Sequence, residues 1–327
     1  MNIIKDKTIL ITGGAGSLGQ ELVEYILTLN PYKIIIFSRD DQKHHIMEKK
    51  FNYNPKLRFF IGDVRDFERL KMAFNGVDYV IHTAALKHID KGEYNSIEYK
   101  RTIVDGAENV IRACIEENVS KCVTLSTDKA MSPLGIYGAS KLLSDKLFIA
   151  ANRYSKTRFS VIRYGNVVAS NGSIIQTLTK DIENRIDITS KEMTRFWITK
   201  KYATSLIIHL LSYMQGEEIL IPKLPTSNVL EFLKALKPKN PSINKIPIRP
   251  AEKIHEAMIL DEDARNGLEF ENYYILYPQL PNEKYNRAFA GQIGKELPEG
   301  FTYKSNNKNW VLTPKDINDM MNDNYKF

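Results

Sequence analysis

The feature of the sequence that most restricts the fold is a glycine-rich turn directly after a short apolar run at residues 8–12. Gly13 permits a tight turn, Gly16 lets the backbone approach a pyrophosphate, and Gly19 allows the following helix to pack closely on a sheet. The N-terminus of that helix presents unpaired N–H groups to an anion. The sequence therefore predicts a strand, a phosphate-binding turn and a helix in this order. The predicted dinucleotide contacts at this turn are Gly13, Gly16, Ser17, Leu18 and Gly19.

Apolar runs rich in Ile, Val and Phe alternate with helical patterns through the first half of the chain. Strands that alternate with helices indicate parallel βαβ units, so the sequence predicts an α/β fold with a doubly wound parallel sheet of the Rossmann type. The predicted strands are 8–12, 33–37, 58–61, 79–82, 122–125 and 160–164, and the predicted helices are 19–29, 66–74, 102–117 and 137–154.

The alternation of strands and helices weakens after about residue 170. We therefore predict a dinucleotide-binding domain at residues 1–170 and a smaller C-terminal substrate-binding lobe at residues 171–327, with some of the later chain returning to the sheet. The later elements predicted are helices at 201–213 and 229–236, an apolar stretch at 218–221, and a final helix capped by Thr313 with Pro314 at its first position.

The composition is that of an ordinary globular chain, with 43% hydrophobic and 26% charged residues among 327. No apolar segment approaches the roughly 20 residues that cross a bilayer, so we expect no membrane partner. The net charge of +7 is spread along the chain without a basic-aromatic module, which favours an acidic small molecule over nucleic acid. Two cysteines, no secretory signal and no histidine with ligand-like partners predict a cytoplasmic protein without a metal site.

The residues after the second predicted strand bear on the ribose of the cofactor. An acid at this place usually binds the ribose of NAD, whereas this chain has Ser38 and Arg39. A hydroxyl beside a guanidinium suits a 2′-phosphate, so the sequence favours NADP. Asp40 and Asp41 keep NAD open, because either reaches a ribose if the strand ends later. Further cofactor contacts are predicted at Asp63 and Val64 and at Ala84 and Ala85.

Tyr137 and Lys141 are four residues apart at the start of a predicted helix, so their side chains share one face. A nearby ammonium stabilises a phenolate and lowers the tyrosine pKa, which makes Tyr137 a base for a hydroxyl proton. The pair follows a strand that ends at Thr127 and lies downstream of the dinucleotide turn. The combination of Thr127, Tyr137 and Lys141 resembles the extended short-chain dehydrogenase/reductase superfamily.

Eight segments between residues 12 and 256 support a narrower resemblance. They read SRDDQK, FIGDVRD, AALKH, STDKA, YGASK, RYGNVVAS, MTRFWIT and RPAEKIHE, and the tail PEGFTYKSNNKNWVLT follows them. In this order they resemble the inverting UDP-N-acetylglucosamine 4,6-dehydratases, the enzymes that open pseudaminic acid biosynthesis in bacteria. The resemblance implies a UDP-sugar substrate, NADP and a homo-oligomer.

The resemblance also implies a reaction and two further catalytic residues. C4 is oxidised first, because only a C4 ketone makes the C5 proton acidic. Water then leaves from C5 and C6, the hydride returns to C6, and a proton returns to C5 from the opposite face, which inverts C5. The family's lysine base for C5 and its aspartic acid for the C6 hydroxyl correspond to Lys129 and Asp128. Retaining sugar dehydratases have Asp-Glu where this chain has Asp-Lys, so Lys129 discriminates between them.

Five residues are candidates for substrate contacts. Lys87 is expected near the sugar or the cofactor, and Asn166 near the UDP phosphates. Arg195 and Arg249 fall where extended family members place arginines against the diphosphate, and Glu252 belongs with them. For each of these the alternative is a residue of a surface or interlobe salt bridge.

Several positions depart from the family pattern. Ile103 stands where the family has an asparagine that supports the backbone near the catalytic residues. Gly135 replaces an asparagine, Asn171 an arginine and Ala251 a glycine. These departures concern the substrate loops rather than the cofactor turn.

Two other functions remain open at this point. A nucleotide-sugar 4-epimerase or 4-reductase uses Thr127, Tyr137 and Lys141 but has no use for Lys129 as a base at C5. A catalytically silent NADP-binding protein, acting as a scaffold or redox sensor, is the third possibility, and the joint presence of all the catalytic candidates argues against it.

Overall fold

The computed structural model describes residues 2–168, 185–237, 241–278 and 287–327. In the first half, the strands are β1 (Thr8–Thr12), β2 (Lys33–Ser38), β3 (Leu57–Ile61), β4 (Tyr79–His82), β5 (Lys121–Thr127) and β6 (Arg158–Tyr164). The helices between them are α1 (Ser17–Thr28), α2 (Asp41–Lys50), α3 (Phe67–Phe74), α4 (Ile89–Tyr94), α5 (Ser96–Lys100), α6 (Gly106–Glu116) and α7 (Ile136–Ala151). A π-helical turn, Arg101–Asp105, joins α5 to α6, and a 3₁₀ turn, Asp128–Ala130, follows β5.

The later chain contains more and shorter elements. Its strands are β7 (Asn166–Val167), β8 (Arg185–Ile188), β9 (Thr194–Ile198), β10 (Ile219–Pro222), β11 (Thr226–Asn228), β12 (Ser242–Lys245), β13 (Ala257–Ile259), β14 (Gly267–Glu269), β15 (Tyr273–Leu276), β16 (Ala288–Phe289), β17 (Gln292–Ile293), β18 (Lys295–Glu296) and β19 (Tyr303–Lys304). Its helices are α8 (Lys200–Tyr213), α9 (Val229–Leu236), α10 (Asp261–Ala264) and α11 (Pro314–Met321).

The central sheet has ten strands in the order β18-β14-β15-β10-β6-β5-β4-β1-β2-β3. The seven strands from β10 to β3 are parallel, and β15, β14 and β18 add an antiparallel edge. The strand order reverses between β1 and β4, and ligands of such sheets bind beyond the carboxyl ends of the strands at this point. The predicted doubly wound α/β fold is therefore confirmed.

Side-chain alternation along β1 explains why helices cover both faces of the sheet. Ile9 and Ile11 belong to the apolar cluster that contains Ile26 of α1, whereas Leu10 between them belongs to the cluster that contains Leu70 of α3 and Val110 of α6. Helix α8 joins the first cluster and α7 joins the second. The sheet is thus buried on both faces, as its continuous Ile and Val runs require.

The chain after β6 serves both the sheet and a smaller lobe. Strands β10, β14, β15 and β18 extend the central sheet, while β11, β9 and β7 form a separate three-stranded sheet. Trp197 of β9 stacks on Phe232 of α9 with ring centroids 4.0 Å apart, and Ile317 of α11 joins the same cluster. The boundary predicted at residue 170 lies outside the described residues, as does Asn171.

The ends of two helices follow from their capping residues. Thr313 and Asp316 form a capping box at the start of α11, with Pro314 at its first position, which confirms the predicted final helix. Asp40 accepts a hydrogen bond from the backbone N–H of Lys43 at 3.0 Å and so begins α2, which the sequence pattern did not predict. Within the described residues, no helix combines the length and the apolar character needed to span a membrane.

Candidate active site

A cavity of about 780 Å³ opens at the carboxyl ends of the parallel strands, where the strand order reverses. Twenty of the residues predicted from the sequence line it: Gly13, Gly16, Ser17, Leu18, Gly19, Ser38, Arg39, Asp63, Val64, Ala84, Ala85, Lys87, Thr127, Lys129, Tyr137, Lys141, Asn166, Arg195, Arg249 and Glu252. Asp128, the remaining one, is completely buried beside Lys129. The fold therefore brings together side chains that are up to about 240 residues apart in the sequence, which is the span from Gly13 to Glu252.

The glycine-rich turn fits the pyrophosphate of a dinucleotide. Gly13 has a φ of +68°, and a Cβ on it would lie 2.9 Å from backbone atoms of Ala84. A Cβ on Gly19 would collide with the Gly14 carbonyl, so the close helix-to-turn packing also needs glycine. Gly16, at the N-cap of α1, supplies no side-chain cap, which leaves the first-turn N–H groups for an anion.

Arg39 and Asp63 face each other at the outer end of the cavity. Arg39 Nη1 lies 3.4 Å from Asp63 Oδ2, and the Arg39 side chain is 52% exposed. Burial alone would raise the pKa of Asp63, but hydrogen bonds from Arg65 and the charge of Arg39 outweigh burial and lower it. Asp63 is therefore a carboxylate. In this form it would accept a hydrogen bond from the adenine amino group of a dinucleotide.

Ser38 and His44 form a second pair in this region. The Ser38 hydroxyl and His44 Nε2 are 2.6 Å apart, and His44 is almost completely buried on α2. Burial lowers the pKa of His44, which keeps the ring neutral. The sequence analysis missed this contact because α2 has no clear apolar periodicity. Asp40 is engaged by the backbone and by the ammonium of Lys43, the latter at 2.7 Å.

Thr127, Tyr137 and Lys141 meet where β5 ends and α7 begins. Partial burial of Tyr137 raises its pKa to about 12, while the positive charge of Lys129 and a hydrogen bond with Thr127 oppose that shift. Lys129 thus supplies the largest opposing charge at Tyr137, and the expected effect of Lys141 on Tyr137 stays a prediction. The Lys141 ammonium donates to the carbonyl of Leu125, deep in the cavity wall, where burial lowers the pKa of Lys141.

Lys129 is surrounded by three oxygen atoms from different parts of the chain. Its Nζ lies 2.9 Å from Asp128 Oδ1, 3.3 Å from Asn166 Oδ1 and 3.4 Å from Glu256 Oε1. Thr127 Oγ1 also donates to Asp128 Oδ1 at 3.0 Å. Glu256 is 2% exposed, and the sequence analysis did not select it. Its only signal was its place at the end of the segment RPAEKIHE.

The pKa values in this cluster shift in different directions. Burial alone would lower the pKa of Lys129, but the charges of Asp128 and Glu256 outweigh burial and raise it. Complete burial raises the pKa of Asp128 in spite of Lys129. Burial would also raise the pKa of Glu256, but Lys129, Arg195 and Lys253 lower it. The resting cluster therefore holds an ammonium at Lys129, a carboxylate at Glu256, and at Asp128 a carboxyl group suited to take up a proton.

The predicted diphosphate residues differ in how free their donors are. Arg195 is 6% exposed and donates to the carbonyls of Thr194 at 2.7 Å, Lys253 at 2.8 Å and Ile254 at 3.1 Å. Arg195 therefore ties β9 to the segment before β13. The Arg249 side chain is 51% exposed and pairs with Glu252 through Nε at 3.1 Å and through Nη2.

Burial also acts on the pKa values of Lys87 and Glu252, which line the same cavity. Burial lowers the pKa of Lys87. Burial alone would raise the pKa of Glu252, but its hydrogen bonds with Arg249 outweigh burial and lower it. The Arg249–Glu252 pair is therefore charged on both sides.

Two departures from the family pattern touch each other. A Cβ on Gly135 would collide with the Ala251 methyl group and with Glu93 Oε1. Glu93 accepts a hydrogen bond from the backbone N–H of Ile136 at 2.9 Å and so caps α7 through the space that Gly135 leaves. Ala251 has a φ of +58°, a conformation that favours glycine. Ile103, the third departure, is buried in the π-helical turn.

Comparisons with known proteins identify the family to which this chain belongs. The chain matches the family described as "Polysaccharide biosynthesis protein" over residues 9–278. UDP-N-acetylglucosamine 4,6-dehydratase (inverting) of Campylobacter jejuni is 45% identical to it over 97% of each chain. UDP-glucose 4-epimerase of Rickettsia bellii is 40% identical over 91% of each chain. The X-ray structure of Pen from Bacillus thuringiensis superimposes with a TM-score of 0.90 and 29% identity, over 98% of each chain. The protein belongs to the polysaccharide biosynthesis protein family as a relative of its inverting UDP-N-acetylglucosamine 4,6-dehydratases, which confirms the resemblance found in its sequence motifs.

Proposed function

We propose that this protein is an inverting UDP-N-acetylglucosamine 4,6-dehydratase. Its product would be UDP-2-acetamido-2,6-dideoxy-L-arabino-hex-4-ulose. The observation that carries the proposal is the pair of Asp128 and Lys129, 2.9 Å apart at the wall of the cavity that Tyr137 also lines. An oxidation at C4 needs only a base for one hydroxyl, whereas elimination across C5 and C6 also needs a base and an acid. The 45% identity to the C. jejuni enzyme supports the same assignment.

NADP fits the residues at the outer end of the cavity. When bound, it accepts the hydride from C4 of the sugar and returns it to C6. Arg39 has a half-exposed guanidinium there, which suits a 2′-phosphate. Asp40 is already engaged by the cap of α2 and by Lys43, and Asp41 lies within α2. Asp40 lines the cavity but its carboxylate is already engaged, and Asp41 is not among the lining residues, which supports NADP as the cofactor.

In the first step Tyr137 takes the proton of the C4 hydroxyl. The pKa of Tyr137 is about 12 with the lowering effect of nearby charge already included, so its phenolate is a minor species at neutral pH. The ammonium of Lys129 is the charged group that lowers the pKa of Tyr137 in this structure. Lys129 therefore assists C4 oxidation in its protonated form.

In the second step Lys129 must act as an amine, so its proton must leave. Asp128 accepts a hydrogen bond from Lys129 Nζ at 2.9 Å and has a raised pKa, so it is the acceptor we propose. Moving one proton along this hydrogen bond produces a neutral base and a neutral acid together. Lys129 then takes the C5 proton, and Asp128 gives its proton to the departing C6 hydroxyl, which leaves as water. The pair returns to its original ionised state.

The remaining side chains are proposed to hold the substrate. Arg249, half-exposed and paired with Glu252, is the donor best placed to meet the diphosphate. Arg195 acts at a distance from the phosphates, because its donors bind backbone carbonyls. Lys87 and Asn166 complete the proposed substrate contacts. A cytoplasmic location and a homo-oligomeric assembly remain predictions from the sequence.

A UDP-sugar 4-epimerase is the second candidate, favoured by the 40% identity to the Rickettsia protein. Epimerisation at C4 would use Thr127, Tyr137 and Lys141 but would leave Asp128 and Lys129 without a chemical task. A silent NADP-binding protein would leave the whole cluster without one.

Analysis of the product in D₂O separates these functions. Purified protein, NADP and UDP-N-acetylglucosamine deuterated at C4 are mixed in D₂O and quenched early, and the product is read by mass and NMR. We expect loss of one water, the L-arabino configuration, one solvent deuterium at C5 and the substrate deuterium at C6. A D-xylo product would contradict the proposed arrangement of Lys129, and a 4-epimer that keeps its water would replace the dehydratase assignment.

A further inference from the structure

Glu256 is a buried carboxylate for which the proposed steps have no task. Its side chain is 2% exposed, with Oε1 3.4 Å from Lys129 Nζ and 3.9 Å from Arg195 Nε. Its other oxygen, Oε2, lies 3.7 Å from Lys253 Nζ and has no hydrogen-bond partner among the described residues. A buried charge in this setting is costly unless it balances other charges.

The backbone holds Glu256 in place from the other lobe. Its N–H donates to Ser305 Oγ at 2.9 Å, and its carbonyl accepts from the backbone N–H of Ser305 at 2.8 Å. Glu256 directly precedes β13, which pairs with β19. The carboxylate therefore reaches Lys129 from an element that carries none of the residues assigned to the chemistry.

Four charged side chains face Glu256 or share its cluster. Lys129 comes from the 3₁₀ turn, Arg195 from β9 and Lys253 from the segment of Glu256 itself, while Asp128 is the second carboxyl group. Without Glu256 the Lys129 ammonium would keep one anionic neighbour and would still be repelled by Arg195. Glu256 thus balances the cations that surround the proposed base.

We propose that Glu256 is a positioning residue that holds Lys129 as an ammonium between two carboxyl groups and so keeps its proton in place until Asp128 accepts it. This inference rests on the proposed function for its meaning in catalysis. It assigns Glu256 no contact with the reacting carbons. Its consequence is that the charge of Glu256, rather than its size, sets how readily Lys129 loses a proton.

Amine labelling of the protein without substrate measures this effect directly. Only the neutral amine reacts with acetic anhydride, so the labelling rate of Lys129 at neutral pH, read by peptide mass spectrometry, reports its pKa. An opposite charge within about 4–6 Å shifts a pKa by about 1 unit or more, so Glu256→Gln should speed Lys129 labelling at least about tenfold. Glu256→Asp keeps the charge while opening at least as much space, and its rate should stay close to that of the unaltered protein.

Two further variants complete the test. Glu218→Gln alters another carboxylate, 1% exposed and bound by Ser160 and by backbone N–H groups, and should leave Lys129 labelling unchanged. Lys253→Met leaves Glu256 in place and removes one cation beside it, so Lys129 labelling should slow. This variant tests the inference if Glu256→Gln does not fold. Equal rates in Glu256→Gln and the unaltered protein, or equal acceleration by Glu256→Asp and Glu256→Gln, would overturn the inference.

The kinetic readout is the pH profile of the elimination, followed as incorporation of solvent deuterium at C5. In Glu256→Gln the basic limb of kcat/KM, where the resting ammonium of Lys129 is lost, should move to lower pH by about 1 unit, while Glu256→Asp should keep its position. An unshifted limb in a folded Glu256→Gln protein contradicts the inference. The labelling experiment contains no substrate, so it tests Glu256 even if the product analysis overturns the dehydratase assignment.

Discussion

Asp128→Asn tests the proton transfer on which the proposed mechanism depends. Asp128 is completely buried, and its Oδ1 accepts from both Thr127 Oγ1 and Lys129 Nζ. The asparagine oxygen has the same size and still accepts these hydrogen bonds, so the local packing should survive. The variant nevertheless cannot take up the proton of Lys129 or protonate the C6 hydroxyl.

The magnitude follows from the loss of one acid-base group. Such groups contribute about 10²–10⁴-fold, or about 3–5 kcal/mol of barrier, so turnover should fall by that factor. Oxidation at C4 uses Tyr137 and should continue, since Asn leaves α7 in place. A single-turnover experiment should then show NADPH absorbance that rises and persists, whereas in the unaltered enzyme it rises and decays as C6 is reduced.

A matched control comes from the surface of the same protein. Asp78 and Lys7 form an ion pair of 2.8 Å, close in length to the Asp128–Lys129 pair, but both side chains are partly exposed and neither residue lines the cavity. Asp78→Asn should keep full turnover, because exposed ion pairs contribute little. If Asp128→Asn retains turnover within about tenfold of the unaltered enzyme, the proton transfer from Lys129 to Asp128 is wrong.

Other residues of the site give further predictions. Tyr137→Phe should lower turnover by about 10²–10⁴-fold with NADP binding unchanged by calorimetry, and a loss below about tenfold would remove Tyr137 as the C4 base. Arg39→Ala should weaken NADP binding far more than NAD binding, and equal losses would contradict the 2′-phosphate contact. Gly135→Asn should destabilise the protein through its collision with Ala251, and adding Ala251→Gly should recover part of the melting temperature; no recovery would mean that the two positions are independent. Complete burial holds the pKa of His82 at about 3 against about 6.5 when unfolded, so its contribution to stability is full above pH 6.5 and is lost as the pH falls toward 3. His82→Gln should flatten this part of the melting-temperature profile, and an unchanged slope would contradict it.

The glycine turn, the first six strands and the pairing of Tyr137 with Lys141 on one helix were readable from the sequence because each is local. The turn needs glycines at fixed spacing, buried strands need continuous apolar runs, and residues four apart share a helix face. Helix α2 was missed because its sequence, DQKHHIMEKK, is mostly polar and has only two buried residues. Its start depends on the cap at Asp40, which is a weaker signal than apolar periodicity.

The catalytic surroundings were predicted only in part. The motif around Asp128 and Lys129 pointed to a base and an acid, but their protonation states depend on Glu256 and Arg195, which are more than 65 residues away along the chain. The contact that Lys141 makes with the Leu125 carbonyl was also not predicted, since the orientation of an ammonium depends on which acceptor the fold brings near it. The Gly135 and Ala251 departures looked independent in the sequence, and only the fold shows that they are in contact.

The sequence by itself determined the order of β1 to β6 and the phosphate-binding turn, and it supplied the candidates for the acid-base groups, because these rest on residue type, short-range spacing and motif resemblance. Only the tertiary structure decided which carboxylates surround Lys129, which arginine is held by backbone carbonyls, which arginine is half-exposed and how β10 returns to the sheet. The physical reason is that charge interactions and hydrogen bonds depend on distances of a few Å and on burial. Those distances are set where two lobes meet, and spacing along the chain does not encode them.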